Sequence, residues 1–199
     1  MTKIVDYYFA AQSPWTYLGH ERLEAIVRSA GAQIRVYPID LGRVFPVSGG
    51  LPLPKRAPQR QAYRLTELKR HSEFLKLPMA IQPKYFPVGG DNAAKLIIAV
   101  DRHDGSQQAM RVAGALLKAC WFEERNIASE QTFAEILQTL HLPAARIIQA
   151  HAQAVQERYD LDTQRAIDIG VFGAPSYVID GEIFWGQDRL DFVERKLMC

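Results

Sequence analysis

The sequence predicts an α/β protein in which two β-bearing ends flank a long helical middle. Three observations predict this. The chain starts with a strand–helix–strand run over residues 4–9, 14–30 and 33–39. Apolar residues then recur at helical spacing through the centre, with no internal repeat. The pattern changes again at the end, where Pro175 precedes two short strands and a last helix.

Each element has a local reason. Ile4-Val5-Asp6-Tyr7-Tyr8-Phe9 is rich in β-formers. Ser13 is a favoured N-cap and Pro14 suits the first helical position, so a helix begins there. Leu23, Ile26, Val27 and Ala30 give that helix its apolar face, and Gly31 can end it. Its length allows a crossover between parallel strands, the second over residues 33–39. Residues 42–58 read as a long Pro/Gly-rich loop, and loops of this length are usually functional or disordered. Leu65, Leu68, Ser72 and Leu75 mark an amphipathic helix, and residues 78–87 break it into an extended stretch. Helices follow over 92–103 and along the stripe from Ala109 to Cys120. Ser129 is placed to cap a helix carrying Phe133, Ile136, Leu137 and Leu140. Pro143 is placed to start one carrying Ile147, Ile148, His151 and Val155, and a further helix runs over 162–169. Residues 176–179 and 182–185 are strands joined by Asp180-Gly181, a strong hairpin signal. Asp188 is the expected cap of a final helix over 189–197.

Composition narrows the function classes. The 199 residues are 48% hydrophobic, enough for one ample core or one domain with a large insertion. A net charge of +2 without a dense basic block argues against nucleic acid. No apolar run is long enough to span a bilayer. No signal-like segment opens the sequence, so the expected location is cytoplasmic. Cys120 and Cys199 form no Cys-x-x-Cys pair; Cys120 reads as core, and no disulfide is expected in that compartment. The five histidines are scattered without zinc spacing, so no metal site is expected.

Two segments carry candidate chemistry. Ser13-Pro14-Trp15-Thr16 opens a helix, where free N–H groups and the helix dipole can hold an anion. On this motif alone, simple capping remains the plainer role. Lys55, Arg56 and Arg60 read either as a solvated helix start or as a clamp for a substrate carboxylate. Trp15, Phe45, Tyr85, Phe86 and Trp185 read either as core or as walls for an aromatic substrate.

The order of elements is that of a thioredoxin fold interrupted by a large all-α insertion, the DsbA-like arrangement. Ser13-Pro14-Trp15-Thr16 falls where thioredoxin-like oxidoreductases carry Cys-x-x-Cys, and residues 170–176 fall where they carry a cis-proline loop. With Ser in place of the first Cys, the chain resembles the 2-hydroxychromene-2-carboxylate isomerases and the kappa-class glutathione transferases. The matching stretches are residues 9–19, 86–88, 170–176 and 184–189. The resemblance implies a thioredoxin-like domain of residues 1–41 and 170–199, a helical insertion of 42–169, and a homodimer. It implies glutathione as cofactor, with Ser13 donating to its sulfur and the backbone of Ala174, beside Pro175, pairing with its cysteinyl part. Gln187 and Asp188 would hold its γ-glutamyl end. The implied reaction is a glutathione-assisted isomerisation of an aromatic or unsaturated carboxylate. Gly50, Gly89 and Arg60 depart from the family pattern. A conjugating glutathione transferase and a non-catalytic thioredoxin-like binding module are the competing readings; the absence of Cys-x-x-Cys argues against a disulfide oxidoreductase.

Overall fold

The computed structural model describes residues 2–199; Met1, at the head of the expected 1–41 segment, lies outside it. A four-stranded mixed sheet runs in the order β2-β1-β3-β4. β1 (Ile4–Phe9) pairs in parallel with β2 (Gln33–Pro38) through the crossover helix α1 (Pro14–Ser29). β3 (Ser176–Ile179) pairs antiparallel with β1, setting Tyr7 opposite Tyr177. β4 (Glu182–Trp185) returns antiparallel to β3. Asp180 and Gly181 have φ of 52° and 81°, the backbone a two-residue hairpin turn requires.

Alternation along β1 sends its side chains to two cores. Val5, Tyr7 and Phe9 join Leu23, Ile26 and Val27 of α1. That cluster continues without a break into α4 (Asp91–Asp104) and α5 (Ser106–Trp121), where residues such as Leu96, Ile97, Leu116 and Trp121 are fully buried. Tyr8 faces the other way, onto Tyr37, Val44, Ala166, Val171 and Val178. The final helix α9 (Leu190–Met198) closes the first face with Leu190, Val193 and Leu197. In sequence, the segment between β2 and β3 also contains α2 (Leu41–Ser48), α3 (Pro58–Leu75), α6 (Glu130–Thr139), α7 (Ala145–Ala150) and α8 (Gln153–Asp168).

The structure corrects five local expectations. Residues 42–58 are not one loop: α2 occupies 41–48, and a 3-10 turn follows at Leu53–Lys55. The Asp40 side chain accepts from the Gly42 N–H at 2.7 Å and caps α2, while Gly49 ends it at φ 76°. The helix carrying Ile147 does not reach Val155. Ala152 is extended, and α8 then runs unbroken through Asp162, which lies in mid-helix and accepts from Arg158 one turn earlier. Asp188 does not cap α9; its carboxylate takes Arg189, and the 3-10 turn Gln187–Arg189 leads into the helix. Ser129 occupies the N-cap position of α6, but its hydroxyl makes no cap bond.

Candidate active site

The opening of α1 lies on the wall of a cleft of about 560 Å³. Ser13 is extended and nearly buried, and its Oγ accepts from the Thr16 N–H at 3.3 Å. The Tyr17 N–H goes to the Ser13 carbonyl. Pro14 has no N–H to offer. Of the first-turn donors, only the Trp15 N–H is therefore left without an acceptor among the described residues. Ser13 accepts through its oxygen, so its hydroxyl proton stays available for a ligand.

Ala174 stands on the same cleft, brought there by the loop into β3. The peptide between Ala174 and Pro175 is cis, as is that between Phe86 and Pro87. Neither the N–H nor the C=O of Ala174 makes a backbone hydrogen bond among the described residues, so a peptide-like ligand can pair with both. The loop can approach β4 this closely because residue 173 is glycine; a Cβ there would sit 2.5 Å from Trp185 Nε1. Trp185 in turn packs edge-on against Phe172. Pro175 itself is buried and lines no cleft; its carbonyl accepts from the Gly186 N–H at 2.9 Å.

A second cleft of about 500 Å³ adjoins the first and shares Trp15, Arg56, Arg60, Arg64, Ala174 and Trp185 with it. Gln187 and Asp188 lie on this second one. Gln187 is buried, with its Nε2 3.0 Å from His71 Nδ1, and Asp188 is exposed. Phe45 and Phe86 line the first cleft. Lys55 and Tyr85 line neither, which corrects their expected place in a substrate pocket. Lys55 closes an exposed 3-10 turn, and Tyr85 lies outward beneath the ammonium of Lys84.

A DSBA-like thioredoxin domain model matches residues 4–198. The chain belongs to the DSBA-like thioredoxin family. Within it, this DSBA-like chain is 30% identical to a 2-hydroxychromene-2-carboxylate isomerase of Pseudomonas putida, over 96% of this chain and 92% of that one. It is 27% identical to glutathione S-transferase kappa 1 of Caenorhabditis elegans, over 95% and 88% of the two chains. A solved 2-hydroxychromene-2-carboxylate isomerase superposes with a TM-score of 0.82 at 28% identity, covering 96% of this chain and 93% of that one. The fold expected from the sequence is thus the fold of the family.

Gln12 and Phe172 on the first cleft, His71 on the second and Arg64 on both were not singled out by the sequence. Arg56, Arg60 and Arg64 recur every fourth residue, and the last two stand on one face of α3; that spacing was the available signal. Cys120 and Cys199 are free and neither lines the clefts; burial pushes the Cys120 thiol up to about 12. No helix among the described residues is long and apolar enough to cross a membrane.

Proposed function

We propose that the protein is a glutathione-dependent isomerase that interconverts 2-hydroxychromene-2-carboxylate and trans-o-hydroxybenzylidenepyruvate. The full-length likeness to isomerases of that name supports the reaction. The observation that carries the site is the pairing of a free Ser13 proton and a free Trp15 N–H with the open Ala174 backbone across one cleft. These groups fit glutathione: two donors for its sulfur and a strand-like edge for its cysteinyl peptide. The buried Gln187 amide and the exposed Asp188 carboxylate on the adjoining cleft suit the γ-glutamyl end of the tripeptide. Glutathione held there would supply a nucleophilic thiolate for reversible addition to a conjugated carbon of the substrate, and its expulsion would restore the double bond and return the cofactor unchanged.

The chain's own residues do the remaining work. A free thiol has a pKa of about 8.5 and is mostly protonated at neutral pH. A partly buried helix N-terminus stabilises an anion by up to about 2 kcal/mol, or about one and a half pKa units. The Ser13 hydroxyl lowers it further by bonding the charged form. Serine cannot form the mixed disulfide that cysteine would, so the nucleophile is not consumed. Phe45, Phe86, Trp15 and Trp185 supply an apolar wall for an aromatic ring, and Arg56 and Arg60 supply positive charge beside it. The protein is proposed to act as a cytoplasmic homodimer, with the thioredoxin-like domain at 1–41 and 170–199 and the insertion at 42–169.

Incubation with the chromene carboxylate and catalytic glutathione tests the reaction. The expected outcome is interconversion with the thiol content unchanged. Stoichiometric loss of thiol would instead assign the kappa-like conjugating activity, and no turnover together with no glutathione affinity would assign a non-catalytic binding module.

A further inference from the structure

Arg64 is the deepest cation of the site and has no counter-ion. It is 9% exposed, lines both clefts, and stands one turn beyond Arg60 on α3. Among the described residues, no oxygen or nitrogen accepts a hydrogen bond from its guanidinium, and no carboxylate pairs with it. Its charge lies over the Phe86 ring at 5.2 Å and the Trp121 ring at 5.7 Å. Ring faces compensate part of the charge, but they leave its five N–H donors unfilled. The first cleft contains no Asp, Glu or Lys; its charged residues are Arg56, Arg60 and Arg64. Burial, with Arg56 nearby, lowers the Arg64 pKa to about 10, so it remains charged at neutral pH.

We propose that Arg64 is the specificity-determining residue of the site and takes the carboxylate of the substrate in a bidentate pair, with Phe86 beneath the fork. The proposal deepens the isomerase reading and rests on it for which cleft the substrate occupies. A planar guanidinium fixed over a ring presents two parallel donors to a planar carboxylate, and the ligand restores the bonds that the folded chain leaves unmade. Its neighbours are less suited. Arg56 already spends Nε on the Leu51 carbonyl at 2.8 Å, and Arg60 is exposed. The adjoining apolar groups, Phe45, Leu53 and Phe172, set the rest of the preferred ligand: an aryl or alkenyl body directly attached to the anion.

Calorimetric titration of trans-cinnamate and of neutral cinnamamide decides this, with and without saturating glutathione. The proteins compared are wild type, Arg64→Met, Arg64→Lys and Lys55→Met. Wild type is expected to take cinnamate at least about tenfold more tightly than the amide, as loss of a charged hydrogen bond implies. Arg64→Met should erase that preference while glutathione affinity stays within about threefold, well inside one charged hydrogen bond. Arg64→Lys keeps the charge without the fork and should retain part of the preference, which decides the matter if the Met variant does not fold. Lys55→Met, which removes a nearby cation that lines neither cleft, should keep all of it. Unchanged cinnamate affinity in Arg64→Met and Arg64→Lys overturns the proposal. So does an equal loss of glutathione affinity, which would assign Arg64 to a carboxylate of the tripeptide. Failure of wild type to bind glutathione would sink the isomerase reading separately, and the cinnamate arm without glutathione would still judge Arg64.

Discussion

Ser13 uses the two ends of one hydroxyl for different purposes. The oxygen caps α1 through the Thr16 N–H, and the proton is left for a ligand. Capping and catalysis are therefore not rival readings of the motif. A different buried side chain sets part of the pH response. His20 lies between the Tyr7 hydroxyl at 3.2 Å and the Met110 carbonyl at 3.0 Å, and burial lowers its pKa to about 4. The unfolded chain takes up a proton on this residue below about pH 6.5, and the folded chain does not. Stability is therefore lost as pH falls from about 6.5 towards 4, by roughly 3 kcal/mol in all. Asp162 works in the opposite sense, since burial raises its pKa to about 6 and the folded state binds its proton first. Comparing wild type with His20→Gln isolates the histidine. On going from pH 7 to pH 5 the urea midpoint should fall less in the variant, or rise, since the Asp162 effect is then unopposed; an unaltered pH response would contradict the assignment.

At the scale of elements, the site depends on α2 as much as on α1. α2 brings Phe45 to the cleft, and Gly50 lies so close to the Phe45 ring that a Cβ would overlap it. Asp40→Ala removes the cap of this helix and should cost about 1 kcal/mol in urea unfolding. The substrate KM should rise severalfold while the glutathione Kd holds, because Ser13 and Ala174 are on other elements. An equal change in both constants would show that α2 supports the glutathione cleft too. This helix also marks what the sequence could not disclose. The strands and α1 were legible because β-formers, caps and apolar spacing agreed there. Gly42, Pro46 and Gly49 read as breakers, yet Asp40 caps ahead of them and Val44 anchors the helix in the second core. Asp162 and Asp188 read as helix starts because short polar residues cap so often, but ion pairs with Arg158 and Arg189 use them instead. That Ser13 and Ala174 stand on one cleft was legible because two distant motifs pointed to one place. The place of Arg64 on the cleft was not, because it depends on burial that only the packed helices create.

Across the whole molecule, the sheet and the central helices share one core. Tyr7 and Phe9 of β1 belong to the same cluster as Leu96, Leu116 and Trp121. A thioredoxin-like part and an insertion joined this way should unfold together. Calorimetry is expected to give a single transition whose calorimetric and van't Hoff enthalpies agree. Leu116→Ala, at a fully buried position, should lower the whole transition by about 2–5 kcal/mol rather than split it. Two resolved transitions would mean that the segments fold as separate units.

The central claim is electrostatic, and the ionisation of glutathione bound to the protein tests it most directly. Thiolate absorbance in the ultraviolet, followed against pH, gives the pKa of the bound sulfur in wild type and in Ser13→Ala. The wild-type value is expected at least about one unit below that of free thiol, with the variant shifted back towards it. Coincident titration curves for the two proteins, or a wild-type value no lower than that of glutathione in solution, would contradict it.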